Sequence, residues 1–264
     1  EPMVAESLGE PIAQLRRRLS TGDPVDLVEE VRLYSSIAIS RLVGLDSADL
    51  SADLFQKVSS VTSMVRLTRT KLSPAELTRA RVVMGELGVH ARRAYRAGDE
   101  QTVGAFVLTG TETLVSYIPR LVCLLIDSGW FPLVAADRSL VEPAIAEALR
   151  VTTPSPLMLR SVVAPDSIGP VAVRAGDRVI LATFMANRAL GPFDPATNIS
   201  ATLRQLWFGA GSHFCLGAPL AMAQIRLVVD ALLDAAPRGD LHVDSRQPAR
   251  GVLIPAYARV VIGR

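Results

Sequence analysis

The sequence predicts a mainly α fold with a small β region. Helical spacing of apolar residues fills the first two thirds of the chain. From Thr153 onward, prolines at 154, 156, 165 and 170 and glycines at 169 and 176 punctuate short β-prone runs. Composition adds that the chain packs: 49% of its 264 residues are apolar and 20% charged, far from the disordered range.

Apolar residues at 8, 12, 15 and 19 mark a helix over Leu8–Leu19. Similar spacing behind the Gly22-Asp23-Pro24 turn marks another over Val25–Leu42, and Ser51–Val65 is helical in pattern. At Ser73-Pro74-Ala75-Glu76, a Ser N-cap, a Pro at the first helical position and a Glu three residues beyond the Ser form a capping box. The helix it opens runs to about Tyr95. The next spans about Glu100–Asp127, with a kink expected at Pro119, whose ring removes a hydrogen bond and crowds residue 115. Asp137-Arg138-Ser139 opens a helix through Arg150. Strands are expected over Leu159–Val163, Val171–Val173 and Val179–Leu181, and turn chemistry fills Asn187–Gly217. A last helix covers about Leu216–Ala235, and Leu241–Val243 and Ala256–Ile262 are β-prone. The expected organisation is one domain over 1–264, helical over 1–152, with the β-region, a cysteine loop and the final helix in 153–264.

Charge and hydropathy narrow the function classes. Lys plus Arg (28) nearly balances Asp plus Glu (26), so no general field for nucleic acid or an anionic membrane exists. Mean hydropathy is high at +0.31. The most apolar stretch, Leu114–Val134, is nevertheless interrupted by Pro119, Arg120, Asp127 and Pro132, short of the ~18 uninterrupted residues of a span. Two cysteines, Cys123 and Cys215, cannot build a disulfide framework; a cytoplasmic setting is expected.

Three constellations carry chemistry. In Phe208-Gly209-Ala210-Gly211-Ser212-His213-Phe214-Cys215-Leu216-Gly217, a cysteine sits in a glycine-rich loop just before a helix. Glycines 209, 211 and 217 allow close backbone approach and positive φ, and the helix start aims N–H groups at the sulfur. One thiolate cannot hold zinc, which needs four ligands, but it suits the axial position of a haem iron. A lone cysteine is more often simply buried, so the spacing of the loop carries the weight. The second constellation, Thr109-Gly110-Thr111-Glu112-Thr113, places an acid and an alcohol inside a long apolar helix, where a Thr can bond a carbonyl one turn back. In the third, Glu147 and Arg150 stand one turn apart on a helix, a spacing that alone means only a weak ion pair.

Phe208, Gly211, Cys215 and Gly217 fit F-x-x-G-x-x-x-C-x-G, and the loop resembles the cysteine-ligand loop of the cytochrome P450 family. The resemblance runs from about Asp26 to the end. It implies a cytochrome P450 fold and a haem b (iron protoporphyrin IX) with Cys215 as its iron ligand. Phe208 would pack beside the sulfur, Gly209 and Gly217 would frame it, and His213 and Arg160 would meet the propionates. Glu112 and Thr113 resemble the acid–alcohol pair that relays protons to dioxygen. Glu147 and Arg150 resemble the family's buried structural pair, and Ala186-Asn187-Arg188 a turn of bacterial members. The implied activity is monooxygenation of a small apolar substrate with electrons from a ferredoxin-type partner. Leu108 and Pro154–Leu157 would face that substrate. A non-catalytic interaction protein acting as helper to another enzyme is the alternative.

Departures from the family pattern accompany the resemblance. Thr197 stands where an arginine usually completes the Glu147–Arg150 group, Met222 replaces an arginine, Leu114 a second alcohol, and Pro119 is unusual in the central helix. The segment between Arg93 and Val103 is short. The family typically runs to about 400 residues, so the native polypeptide is expected to extend N-terminally by about a hundred. Glu1 is not an initiator Met, and Leu8, Leu15 and Leu19 form a stripe in need of a neighbour. In a chain natively this short, a protein partner or second copy would have to close the haem pocket.

Overall fold

The structure, a computed structural model, describes residues 2–45, 57, 60–61, 72–94, 100–198, 206–250, 252 and 254–264. The helix expected over 51–65 lies largely outside the described residues. In chain order the elements are α1 (Pro2–Thr21), β1 (Val25–Asp26), α2 (Leu27–Leu42), α3 (Pro74–Ala94) and α4 (Glu100–Asp127). Then come α5 (Trp130–Ala136), α6 (Val141–Val151), β2 (Met158–Ser161), β3 (Asp166–Ile168), β4 (Val171–Val173) and β5 (Arg178–Leu181). Helices α7 (Thr183–Asn187) and α8 (Ala218–Ala235) and strands β6 (His242–Pro248) and β7 (Tyr257–Gly263) complete them.

The α1 stripe finds its neighbour within the chain. Leu8, Ile12, Leu15 and Leu19 are buried as α1 packs along α8 and α2. Each such side chain contributes about 1.5–3 kcal/mol over leaving it in water. Asp26 does three things at once: it ends β1, its carboxylate caps α2 by accepting from Val28 N at 3.1 Å, and it accepts from Arg259 Nε at 3.2 Å. β1 also pairs Val25 with Ile262 and Asp26 with Val261, so residues read as the start of a helix form the edge of a β1-β7-β6 sheet.

The capping box forms as expected. Ser73 N and Oγ each donate to Glu76 Oε2 at 2.8 Å, and Glu76 N donates back to Ser73 Oγ at 3.3 Å. Helix α4 continues through the buried Pro119. On either side of that proline, Ser116 Oγ (2.6 Å) and Arg120 Nη1 (3.1 Å) donate to the Pro255 carbonyl, tying the loop before β7 to the helix. Gly129, with φ 72°, ends the run, and α5 leaves at 91° to α4. No single helix among the described residues is long and apolar enough to cross a membrane. Asp137 accepts from Ser139 N at 2.9 Å and opens a short 3₁₀ turn ahead of α6.

Among the described residues the β region consists of three small sheets, all antiparallel: β1-β7-β6, β2-β5 and β3-β4. The main core lies where α1, α2, α4, α6 and α8 converge, and a smaller cluster of Ile39, Val83, Leu87 and Val107 joins α2, α3 and α4.

Candidate functional site: the cysteine loop and the elements around it

A tight loop holds Cys215 at the head of α8. Its amide donates to the Phe208 carbonyl at 2.8 Å, and its own carbonyl accepts from Ala218 N at 3.2 Å, fixing the backbone on both sides of the sulfur. Gly209 (φ 73°) and Gly211 (φ 60°) adopt the left-handed conformation that a side chain would strain. Gly217 does not: its φ is −82°, because it serves as the N-cap of α8. A Cβ there would lie 3.8 Å from the Cys215 Sγ, an ordinary contact, so the chain's own packing does not demand glycine at this position. His213 closes the 3₁₀ turn Gly211–His213.

The thiol is exposed, and so are its two apolar neighbours, Phe214 at 47% and Leu216 at 82%. Phe208 and Phe214 stack at a tilt with centroids 6.4 Å apart. An exposed thiol between apolar side chains, on a backbone pinned by hydrogen bonds, fits one face of a flat apolar group carrying a metal. Among the described residues no group of three or more His, Cys, Asp or Glu side chains is placed to hold a metal ion, so the available donor is the single sulfur. Sequence reasoning did not single out Phe214 and Leu216; an apolar residue on each side of the cysteine was the signal that could have found them.

Glu147 and Arg150 on α6 are completely buried, as the resemblance implied. Arg150 forks onto the carboxylate through Nε (2.7 Å) and Nη2 (2.5 Å). Its Nη1 donates to the Asn187 carbonyl (2.6 Å), and Nη2 also reaches the Gly191 and Pro192 carbonyls (3.0 Å each). Glu147 Oε1 further accepts from Asp194 N at 3.0 Å and Asn198 Nδ2 at 2.7 Å. Thr197, which stands where the family usually has an arginine, makes no bond to this group. It is exposed, and its amide turns instead to the Asp194 carboxylate at 3.2 Å. Bonds from Thr197 and Ala196 hold that carboxyl below the usual carboxylate range. The next residue, Asn198, is the one that reaches Glu147 from beyond the Asp194–Thr197 turn.

The acid–alcohol pair lies on α4, which packs against both α6 and α8. Glu112 and Thr113 are half-buried, and Thr113 Oγ1 donates to the Thr109 carbonyl one turn back at 3.1 Å. Thr111, fully inside, does the same to Val107 at 3.1 Å. Arg160 stands exposed on β2, opposite Val179, with Nη1 on the Leu159 carbonyl at 2.9 Å. The Pro154–Leu157 stretch is half-buried, held where Thr183 Oγ1 donates to the Ser155 and Pro156 carbonyls, both at 3.0 Å.

Residues 135–235, which include Glu147, Arg150, Arg160 and Cys215, match the protein-family model described as Cytochrome P450. "Putative cytochrome P450 126" of Mycobacterium tuberculosis is 37% identical over 101 residues, covering 37% of this chain and 24% of that one. "Vitamin D3 dihydroxylase" of Streptomyces griseolus is 29% identical over 261 residues, covering 88% of this chain and 63% of that one. The solved structure of "the versatile cytochrome P450 enzyme CYP109B1 from Bacillus subtilis" superposes with a TM-score of 0.79 at 22% identity, over 100% of this chain and 80% of that one. Residues 135–235 thus match the cytochrome P450 family, and the fold of the chain is that of solved cytochrome P450 structures. The chain spans 24% of the first of these curated relatives and 63% of the second.

Proposed function

We propose that the protein is a haem-thiolate monooxygenase, placing one oxygen atom of dioxygen into a small apolar substrate, with electrons from a ferredoxin-type partner in the cytoplasm. The observation that carries this reading is the exposed Cys215 thiol on its pinned loop, flanked by the exposed Phe214 and Leu216. Cys215 would hold a haem b through sulfur, with Phe208 and Leu216 as apolar support and the exposed Arg160 as a cation for a propionate. His213, Gly209 and Gly217 belong to the same cradle in this reading. The group supplies the activation of dioxygen, which side chains alone do not perform.

The chain's own part is to deliver protons and exclude water. One oxygen atom enters the product and the other leaves as water, so each turnover consumes two electrons and two protons. Glu112 would hold a proton on its carboxyl and pass it to the Thr113 hydroxyl. Thr113 Oγ–H now points at the Thr109 carbonyl, so the hydroxyl must turn to donate elsewhere. The word dihydroxylase in one relative's name supports oxygen insertion as the reaction.

The test is the reduced, carbon-monoxide-bound spectrum. The red-shifted Soret band of a thiolate-ligated haem is expected and should vanish in Cys215→Ala. In Thr113→Ala, reducing equivalents should appear as peroxide in place of product. A colourless chain that takes up no haemin and co-purifies with an enzyme would overturn the proposal in favour of the interaction protein.

A further inference from the structure

We infer that β5 pairs edge to edge with β5 of a second copy, forming a dimer whose two-fold axis passes at Ile180. The β2-β5 sheet has two strands of four residues, and most of its side chains are exposed on both faces. Two strands so short are marginal alone, and a further strand stabilises them. The Val162 amide donates to the Asp177 carbonyl at 2.9 Å, and the direction of backbone groups alternates along an antiparallel strand. Val179 and Leu181 therefore turn their amides and carbonyls toward Arg160 and Met158 on β2, while Arg178 and Ile180 turn theirs away. Among the described residues nothing bonds to those outward groups. The side chains beside them are apolar and open, with Ile180 at 54% and Leu181 at 40% exposure. A bare apolar edge of this kind is a template for another strand.

The opposite edge is closed. Leu159, facing Ile180, turns its carbonyl away from β5, and the Arg160 guanidinium already donates to that carbonyl at 2.9 Å. Growth past β2 is blocked there, so association through β5 ends at two copies. Self-pairing also has one favourable register. With Ile180 against Ile180, the outward groups of each strand meet those of the other, Val179 meets Leu181 of the second copy, and Arg178 meets its Ala182. Leu159 and Ile180 of both copies then form one apolar row across four strands. A slip that centres the pair on Arg178 sets two guanidinium groups face to face, which is destabilising. An edge of four residues makes a small contact, with a dissociation constant on the order of 10 µM. Neither haem nor the cysteine loop takes part in this contact, so it stands or falls apart from the proposed function.

Sedimentation equilibrium of the full chain between ~1 and ~100 µM decides the matter. The mass should rise from 28.3 kDa toward twice that value, and hydrogen exchange at the Ile180 amide should slow over the same range. Ile180→Lys and Ile180→Glu each set like charges opposite one another at the axis and should weaken association about tenfold. Mixed in equal amounts, the two variants should dimerise again at about the parent's strength, because each lysine then meets a glutamate. Only a position that faces itself behaves in this way. Ile168→Lys, on β3 and 53% exposed, should match the parent. Melting temperatures equal to the parent's at ~1 µM, where all are monomers, show that a lost dimer is not a lost fold. A parent that stays monomeric at ~100 µM, whether β5 is bare or another segment covers it, would overturn the proposal. So would a Lys–Glu mixture that stays monomeric, an Ile168→Lys effect of equal size, or open-ended aggregation.

Discussion

Replacing Gly110 with alanine tests how closely α2 and α4 approach beside the acid–alcohol pair. A Cβ at this position would overlap Ile39 Cδ1 and stand 2.9 Å from Cγ1. Carbon atoms prefer about 3.5–4.0 Å, so Ile39 must retreat by well over half an ångström. It has little room, being buried and packed in a cluster with Val83, Leu87 and Val107. Overpacking of this kind costs about 1–3 kcal/mol. Against it stands the gain of about 0.8–1 kcal/mol when glycine gives way to alanine inside a helix. The net expectation is a loss of up to about 2 kcal/mol, or about 2–4 °C of melting temperature per kcal/mol in a chain of this size.

Urea unfolding of the single variants and of the pair Gly110→Ala with Ile39→Val completes the test. Ile39→Val alone should cost about 0.5–1.5 kcal/mol. Together with Gly110→Ala it removes the overlapping methyl, so the double variant should be more stable than the sum of the two by about 0.5–3 kcal/mol. A stabilised Gly110→Ala protein, with strictly additive behaviour in the pair, would refute the close approach.

Arg150→Met should destabilise by about 3–5 kcal/mol, since it strands a buried carboxylate; equilibrium unfolding checks it. In the haem-free protein at neutral pH, Cys215 should react rapidly with an aromatic disulfide reagent. Cys123, whose thiol burial pushes up to about 11, should react only on unfolding. Haem uptake should protect Cys215. The Arg246 fork on Asp127, at 2.6 and 2.7 Å, holds that carboxyl below its ordinary value. Its contribution, about 1 kcal/mol at most for so exposed a pair, is therefore present above the unfolded value near 4 and is lost as pH falls through the lower folded one. Arg246→Met should flatten the acid limb of the melting-temperature profile.

Local chemistry made much of the fold legible. Ser73 and Glu76 announce a helix start because both partners lie within one turn, and the α4 pattern is long enough to survive Pro119. Helix α5 was hidden because Gly129 and Pro132 are turn residues by composition, yet Pro132 falls within the first helical turn, where its missing N–H costs nothing. Strand β1 could not be seen at all, since Val25 and Asp26 become a strand only by meeting Ile262 and Val261. The Cys215 loop was legible through spacing. The bond from Asn198 to Glu147 was not, because it depends on how the turn after Asp194 carries the backbone back to α6.

The union of α1 with α8 has a consequence during synthesis. The apolar face of α1 is complete once Thr21 has been made, but its cover ends at Ala235, 214 residues later. At the usual pace of about 5–20 residues per second, Leu8, Ile12, Leu15 and Leu19 stay uncovered by α8 for roughly 10–40 s on the ribosome. Neither the α8-facing side of α1 nor β1 can reach its final partner before the polypeptide is almost finished. Nascent chains of this protein should therefore depend on chaperone binding near the α1 segment, and replacing Leu15 by Ser should weaken that binding as well as the finished fold.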